Sequence, residues 1–525
     1  TIVGAFQPSL SEFSKINVKP EAPKHNFSPQ NLQFSTLDKV ISTQADLELI
    51  SPDFRQPTEK QNTFRNYVKA GIGTNISPLF LFQHHSKLSK ETSFDFGIQH
   101  LSSWTTIPDY APSDWMKNQF STDVKHAFTD HILHTGLTYN YNTNRYYGFK
   151  PEDFPSVTIL KDTIAQKYQN IGFHSELASN YKDVSKLHHA IGVNYNYFSD
   201  YYKAREHFFE LNGQLRKDYE WFDFDGTQTT ALEVVTGYYA NSDSLNKTNN
   251  FFFGALPSLT LKGSFYEVQA GVRMNFLNDT SSHFYVYPKI SGKLLMFDQK
   301  LAFFAGIDGN SNRSNLFEIT DINPFLMSGQ QTWWTNSRFI FDAGFKTAVI
   351  KNLDLYFGLR FEDNNSEGFY VTDTSTMLKN TYTVVYDDLK EMIYLAQASY
   401  KLSNKLLIST LIEYSQREMT NLSHAWNKAN FEMNVKARYQ FDEKLNFSTE
   451  MFFQGKRYAP TYINGIETAI ELKPVADINI ISEYAINQQF AVFAQVNNLL
   501  HDKYERFHNY PVQGIQLIIG MNLKF

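Results

Sequence analysis

The sequence predicts an all-β chain: a transmembrane antiparallel β-barrel of about 22 strands, preceded by a short extended N-terminal segment. Three observations lead there. Apolar and polar residues alternate along segments of 10–14 residues from about residue 63 to the end. Such segments are about twice as long as the five or six residues of an average strand in a soluble domain. Aromatic residues are abundant, with 46 Phe, 31 Tyr and 6 Trp.

Residues 1–62 form one unit with scattered charges, six prolines between Pro8 and Pro57, and no sustained period. They read as extended and either periplasmic or lumen-lining, with a short helix near Thr36 to Leu49. The barrel unit is 63–525. Its expected strands begin at 64–74, 77–87, 92–104, 117–128, 131–146 and 166–182, then run through 187–199, 204–218, 229–240, 250–262, 264–277, 283–296 and 299–311. The rest are 335–349, 352–364, 389–402, 405–417, 428–441, 444–457, 467–484, 488–500 and 512–525. Within them the period is two, as in Tyr266, Val268, Ala270, Val272, Met274 and Phe276 against Glu267, Gln269, Gly271, Arg273 and Asn275. That is a strand with one apolar and one polar face.

The polar faces carry Glu210, Arg216, Glu267, Arg273, Arg360, Glu432, Lys436 and Arg438 at mid-strand. A Lys or Arg turned to lipid at the bilayer midplane costs roughly 2–4 kcal/mol, so these charges are expected to face the lumen. Their signs are mixed, which suits cross-strand ion pairs better than a charge-selective pore. Connections such as LKGS (261–264), FDQK (297–300) and FDEK (441–444) are short, whereas 105–116, 147–165, 312–334, 363–388 and 418–427 are long. Short turns on the periplasmic side, long loops outside and an even strand count put both termini in the periplasm of an outer-membrane protein.

Composition excludes several classes. No run approaches the ~18 apolar residues of a membrane helix. There are no cysteines, which removes disulfides, Cys-ligated zinc, iron–sulfur clusters and thiol catalysis. A net charge of −6 without a basic block argues against nucleic acid. Thr1 opens neither a charged signal region nor a lipidated Cys, so the sequence is expected to begin at a processed or trimmed end.

The last stretch, VNNLLHDKYERFHNYPVQGIQLIIGMNLKF (496–525), resembles the C-terminal end of TonB-dependent receptors. The resemblance rests on Asn498 and Leu499, Lys503 and Tyr504, Tyr510 and Pro511, Gly514, and a final strand ending in Phe525. It implies a 22-stranded outer-membrane barrel, and the aromatic-rich style is similar to proteins of Bacteroidota. Phe525, Leu523 and Met521 then resemble the terminal signal read by outer-membrane assembly machinery, and the last strand is expected to pair with the first near 64–74. Receptors of that family carry a globular plug before the barrel. The 62 residues here show no plug-like alternation of strands and helices, so a barrel lacking its plug is expected.

Little points to chemistry. There is no Gly-rich phosphate loop. His131 and His134 lie three apart on a strand, hence on opposite faces, and cannot share a metal; His84/His85 and His188/His189 split likewise. The acidic loop 363–388 (Asp363, Glu367, Asp373, Asp387, Asp388) has oxygen ligands for calcium, but a solvated loop is the simpler reading. The loop 312–334, with Asn323, Pro324, Phe325, Trp333 and Trp334, can fold inward, cover the mouth or dock a partner; alternatively the tryptophans belong to a membrane girdle. No enzyme activity, cofactor or metal is expected. The expected partners are outer-membrane lipid and lipopolysaccharide, the assembly machinery, and other outer-membrane or periplasmic proteins. A lumen of 22 strands requires closure. The expected function is a structural or accessory subunit of an outer-membrane assembly or secretion complex; the alternative is a nutrient transporter or pore, passive or TonB-linked with a plug supplied elsewhere.

Overall fold

The period-two segments become a single ring of strands. The computed structural model describes residues 64–183, 185–219, 226–244, 246–463 and 466–525, so the expected extended segment 1–62 lies outside the described residues. One antiparallel sheet contains 22 strands. The first nineteen run from Asn66–Gly73 to Leu445–Gln454, and the last three are Val475–Ala485, Phe490–Asn497 and Gln516–Lys524. Pairing of the first strand with the last, from Tyr67 opposite Lys524 to Gly73 opposite Ile518, closes the ring and removes both edges. The backbone of Phe525 finishes the seam, its carbonyl accepting from the amide of Asn66 at 2.8 Å.

A close approach at this seam explains two glycines. Gly71 and Gly520 face each other across it, and the ring of Phe493 fills the space that their side chains would take. Lys69 Nζ then sits 4.3 Å from the centre of that ring.

Alternation decides what each face meets. In the last strand Leu517, Ile519, Met521 and Leu523 lie bare on the outside, while Gln516, Ile518 and Asn522 are buried within. The same parity holds around the ring: Phe209, Leu211 and Leu215 stand outside, whereas Glu206 is buried inside. The sheet thus presents a continuous apolar outer surface and a polar lining, the arrangement of membrane-spanning barrels.

Two details differ from the expected segmentation. The expected strand 467–484 is instead Val475–Ala485, because Arg457–Ile463 and Ile466–Leu472 form a separate hairpin inside the connection 455–474. A Lys473–Pro474 step separates that hairpin from the barrel strand. The acidic loop 363–388 is mostly strand: Leu353–Thr372 and Tyr382–Lys401 stay paired well past the barrel rim, with an irregularity between Asn364 and Glu367. Connections 74–76 and 201–204 are tight, as the expected strand bounds imply, although they lie at the long-loop end; 279–281 is tight as well.

Candidate functional site: loops folded into the long-loop end of the barrel

The loop 313–334 begins with a helix, Leu316–Ile322. Asn315 caps it, its side chain accepting from the Glu318 amide while the Glu318 carboxylate accepts from the Asn315 amide, which satisfies two otherwise orphaned N–H groups. A further helix amide, that of Leu316, donates to Glu206 Oε1 at 2.8 Å. Glu206 lies on the inner face of the eighth strand, so this helix is already inside the ring.

Beyond the helix the chain turns at Asn323, whose side-chain oxygen accepts from the amide of Phe325 at 3.0 Å. The Pro324 carbonyl accepts from Asn144 Nδ2 at 2.5 Å and from the Tyr168 hydroxyl at 3.1 Å. The Leu326 carbonyl accepts from Tyr146 at 2.7 Å. A segment leaving the thirteenth strand therefore reaches the inner faces of the fifth, sixth and eighth strands, which only a path through the lumen allows. Leu326 forms a parallel bridge with Tyr382, whose amide donates to Phe325 at 2.9 Å.

The last connection, 498–515, arrives from the other side. Tyr510 stacks on Phe325 with 3.6 Å between ring centres, and Tyr147 packs edge-on to Tyr510 at 4.9 Å. The Tyr147 hydroxyl donates to the Pro511 carbonyl and the Tyr382 hydroxyl to that of His508. Arg506 reaches back to the Ile322 carbonyl at 2.8 Å. Buried side chains of these loops and of the barrel wall, including Phe149, Ile164, Leu316, Ile319 and Phe507, make one continuous apolar cluster. Burial pushes the phenols of Tyr146, Tyr147 and Tyr510 well above their ordinary range, so they stay neutral donors.

A second cluster lies beside it. Trp426 of the loop 420–430 is buried against Phe369, Val371 and Leu389 of the long hairpin. An ion pair anchors the whole: Arg313 and Glu206, both 2% exposed in their side chains, meet at 3.7 Å. Arg313 also donates to the Thr332 carbonyl and lies over the ring of Tyr239 at 4.1 Å.

The residues expected at the mouth are thus drawn together: Asn323, Pro324 and Phe325 are at the centre of the infolded loop. Trp334 packs inward on Phe252 at 5.3 Å and on Tyr239, away from any membrane girdle. Trp333 is 43% exposed, with its amide donating to the Tyr386 hydroxyl. Of the residues that carry the C-terminal resemblance, Asn498, Tyr504 and Tyr510 are buried, whereas Leu499, Lys503 and Phe525 are exposed. Asn498 holds the last loop through the carbonyls of Asp502 and Gln513, Tyr504 donates to Asp477, and Tyr510 fills the cluster.

The eight mid-strand charges lie on the inner face, where their partners come mainly from neighbouring strands. Arg273 and Lys289 share Asp308 at 3.2 and 2.7 Å. Arg360 bridges Asp342 and Glu362. Lys436 pairs with Glu450, Glu267 with Lys262, Glu210 accepts from Asn194 and Glu432 from Gln454. Arg216 approaches Asp218 at 3.9 Å, and Arg438 is exposed to the lumen between Leu407 and Ser448. Phe525, Leu523 and Met521 point outward.

The acidic residues weighed for calcium do not converge. Asp363 pairs with Arg338, which Asp388 also approaches at 3.8 Å while accepting from the Ser366 amide; Glu367 pairs with Lys428, Asp373 accepts from Ser375 and Thr381, and Asp387 accepts from Asn421 and Leu422. Each is already engaged by protein groups. His131 faces outward with His189, their Nε2 atoms 3.1 Å apart, while His134 faces inward. Sequence reasoning missed what lies around His134: His174 and Asp123 come to its side through register, and no local spacing signals that.

No protein family matches the chain in sequence, and neither does any curated protein. Solved structures do match. The pyoverdine outer membrane receptor FpvA of Pseudomonas aeruginosa PAO1 superposes with a TM-score of 0.67 at 10% identity, over 89% of this chain and 79% of that one. The siderophore receptor PirA of Acinetobacter baumannii gives 0.67 at 9% identity, over 89% and 81%. The copper transporter OprC gives 0.63 at 12% identity, over 90% and 82%. The chain therefore has the 22-stranded barrel fold that these receptors and transporters share.

Proposed function

We propose that this chain is an outer-membrane barrel of the receptor and transporter type whose long-loop end is shut by its own loops, so that a solute passes only when those loops move. The observation that carries the reading is the infolded segment 313–334, hydrogen-bonded to the inner wall through Asn144, Tyr146 and Tyr168 and stacked on Tyr510. The fold shared with outer-membrane receptors supports it. With the short turns on the periplasmic side, the first strand starts and the last strand ends there, and the bare Met521, Leu523 and Phe525 suit a last strand presented to the assembly machinery. A structural role in a larger outer-membrane complex is the second reading. It is favoured by the buried Arg313–Glu206 anchor, which suits a fixed cover better than a mobile one.

Planar-bilayer conductance of the purified full chain, with and without residues 316–330, separates these. A silent native protein and a conducting deletion support a gated passage. A large steady conductance from the native protein contradicts closure by the loops. Silence in both, with stable partners retained in mild detergent, favours the structural role.

A further inference from the structure

We propose that Asp123, His134 and His174 form a binding site for a divalent transition-metal ion on the inner wall of the barrel, with its remaining coordination positions open to the lumen. The three residues come from three adjacent strands, Trp115–Ala127, His131–Arg145 and Ala165–Ser179. Their side chains share the inner face, and their ligand atoms all lie within 4.8 Å of one another. His134 Nε2 is 3.3 Å and His174 Nε2 3.4 Å from the same oxygen, Asp123 Oδ1. Zinc bonds of 2.0–2.1 Å in tetrahedral geometry place neighbouring ligand atoms roughly 3.3–3.4 Å apart. Charge-assisted hydrogen bonds would be shorter, about 2.7–2.9 Å. The spacing suits ligands around an ion better than two imidazoles bonded to one carboxylate oxygen.

Two features of the wall support this. The rung on which Asp123 sits runs His85, Asp95, Asp123, Gly136, His174 across five strands. Gly136 leaves the gap: a side chain there would collide with both the His174 ring and the Asp123 carboxylate. On the other side Asp95 stands directly opposite Asp123, and like charges so placed repel. His85 takes up Asp95 at 2.6 Å, whereas a bound cation would offset Asp123. Two imidazoles and one carboxylate suit Zn²⁺, Cu²⁺ or Ni²⁺ rather than Ca²⁺ or Mg²⁺, which take oxygen ligands. The side chains are 37–48% exposed, so an ion would keep positions for water or for a donor from whatever enters the lumen.

The site is tested on the detergent-purified full chain after chelation and desalting, by Co²⁺ titration followed in the visible spectrum and by Zn²⁺ displacement. One Zn²⁺-displaceable Co²⁺ per chain is expected. Loss of a ligand should weaken binding by at least the tenfold that supporting residues alone command, in His134→Ala, His174→Ala and Asp123→Asn. The outward pair changed together, His131→Ala and His189→Ala, should leave it intact. Independently of any variant, Zn²⁺ should protect His134 and His174 of the native protein from diethylpyrocarbonate. Absence of binding overturns the proposal, as does stoichiometric binding that ignores the His134 and His174 variants or protects neither histidine.

Discussion

At the scale of single residues, the infolded loops depend on a few aromatic contacts. Phe325 is buried between Tyr510, Tyr147 and Phe507. Truncating a buried phenylalanine costs about 3–5 kcal/mol. Phe325→Ala is therefore expected to speed hydrogen exchange at protected amides of 313–334 while leaving exchange in the barrel strands unchanged, because local opening draws on local contacts. Equal effects in both would mean that the loops and the barrel open as one unit. Which residues face out was legible in the sequence, since period two assigns faces without knowledge of partners. Who meets whom was not. Arg273 and Glu267 stand six residues apart on one strand, about 20 Å, so they cannot touch. Arg273 finds Asp308, two strands away, by register and side-chain reach. The Asp123, His134 and His174 cluster was hidden for the same reason.

Elements carry a different part of the structure. The strands were readable where one face meets lipid, because lipid enforces alternation. Outside the bilayer that pressure ends, and the reading failed there. In the hairpin, Arg457–Ile463 falls mostly between expected strands and Ile466–Leu472 mostly within the expected strand 467–484. The upper halves of Leu353–Thr372 and Tyr382–Lys401, whose Phe369 and Val371 pack on Trp426 rather than on lipid, lie in an expected loop. The helix Leu316–Ile322 is short and held by its capping box and by Glu206 rather than by length. Its anchor makes a sharp test. Glu206→Gln leaves the buried Arg313 cation uncompensated and should destabilise the infolded loop by roughly 3–5 kcal/mol, measured by proteolysis of 313–334 in folded barrels. The double change Glu206→Gln with Arg313→Met should cost far less than the sum of the single changes. Additive losses would show that the pair acts through unrelated contacts.

For the whole molecule, two sets of contacts matter, and their chemistry differs. Backbone pairing of Asn66–Gly73 with Gln516–Lys524 closes the ring, whereas wall side chains donating to loop carbonyls hold the loops that we propose close one end of it. The first closure was foreseeable from the two-faced last strand. The second was foreseeable only as a need, since a lumen this wide requires an occupant and several candidates compete for the place. The loops supply a core of their own, with Leu326 1% exposed at its centre and Leu160 60% exposed at its rim. Because the chain contains no cysteine, one introduced thiol reports on its own surroundings. The most direct measurement is therefore the labelling rate of Leu326→Cys against Leu160→Cys by a membrane-impermeant maleimide in native outer membranes. Closure by the loops predicts prompt labelling at Leu160→Cys and none at Leu326→Cys until the barrel is denatured. Labelling of Leu326→Cys at the rate of Leu160→Cys would contradict it.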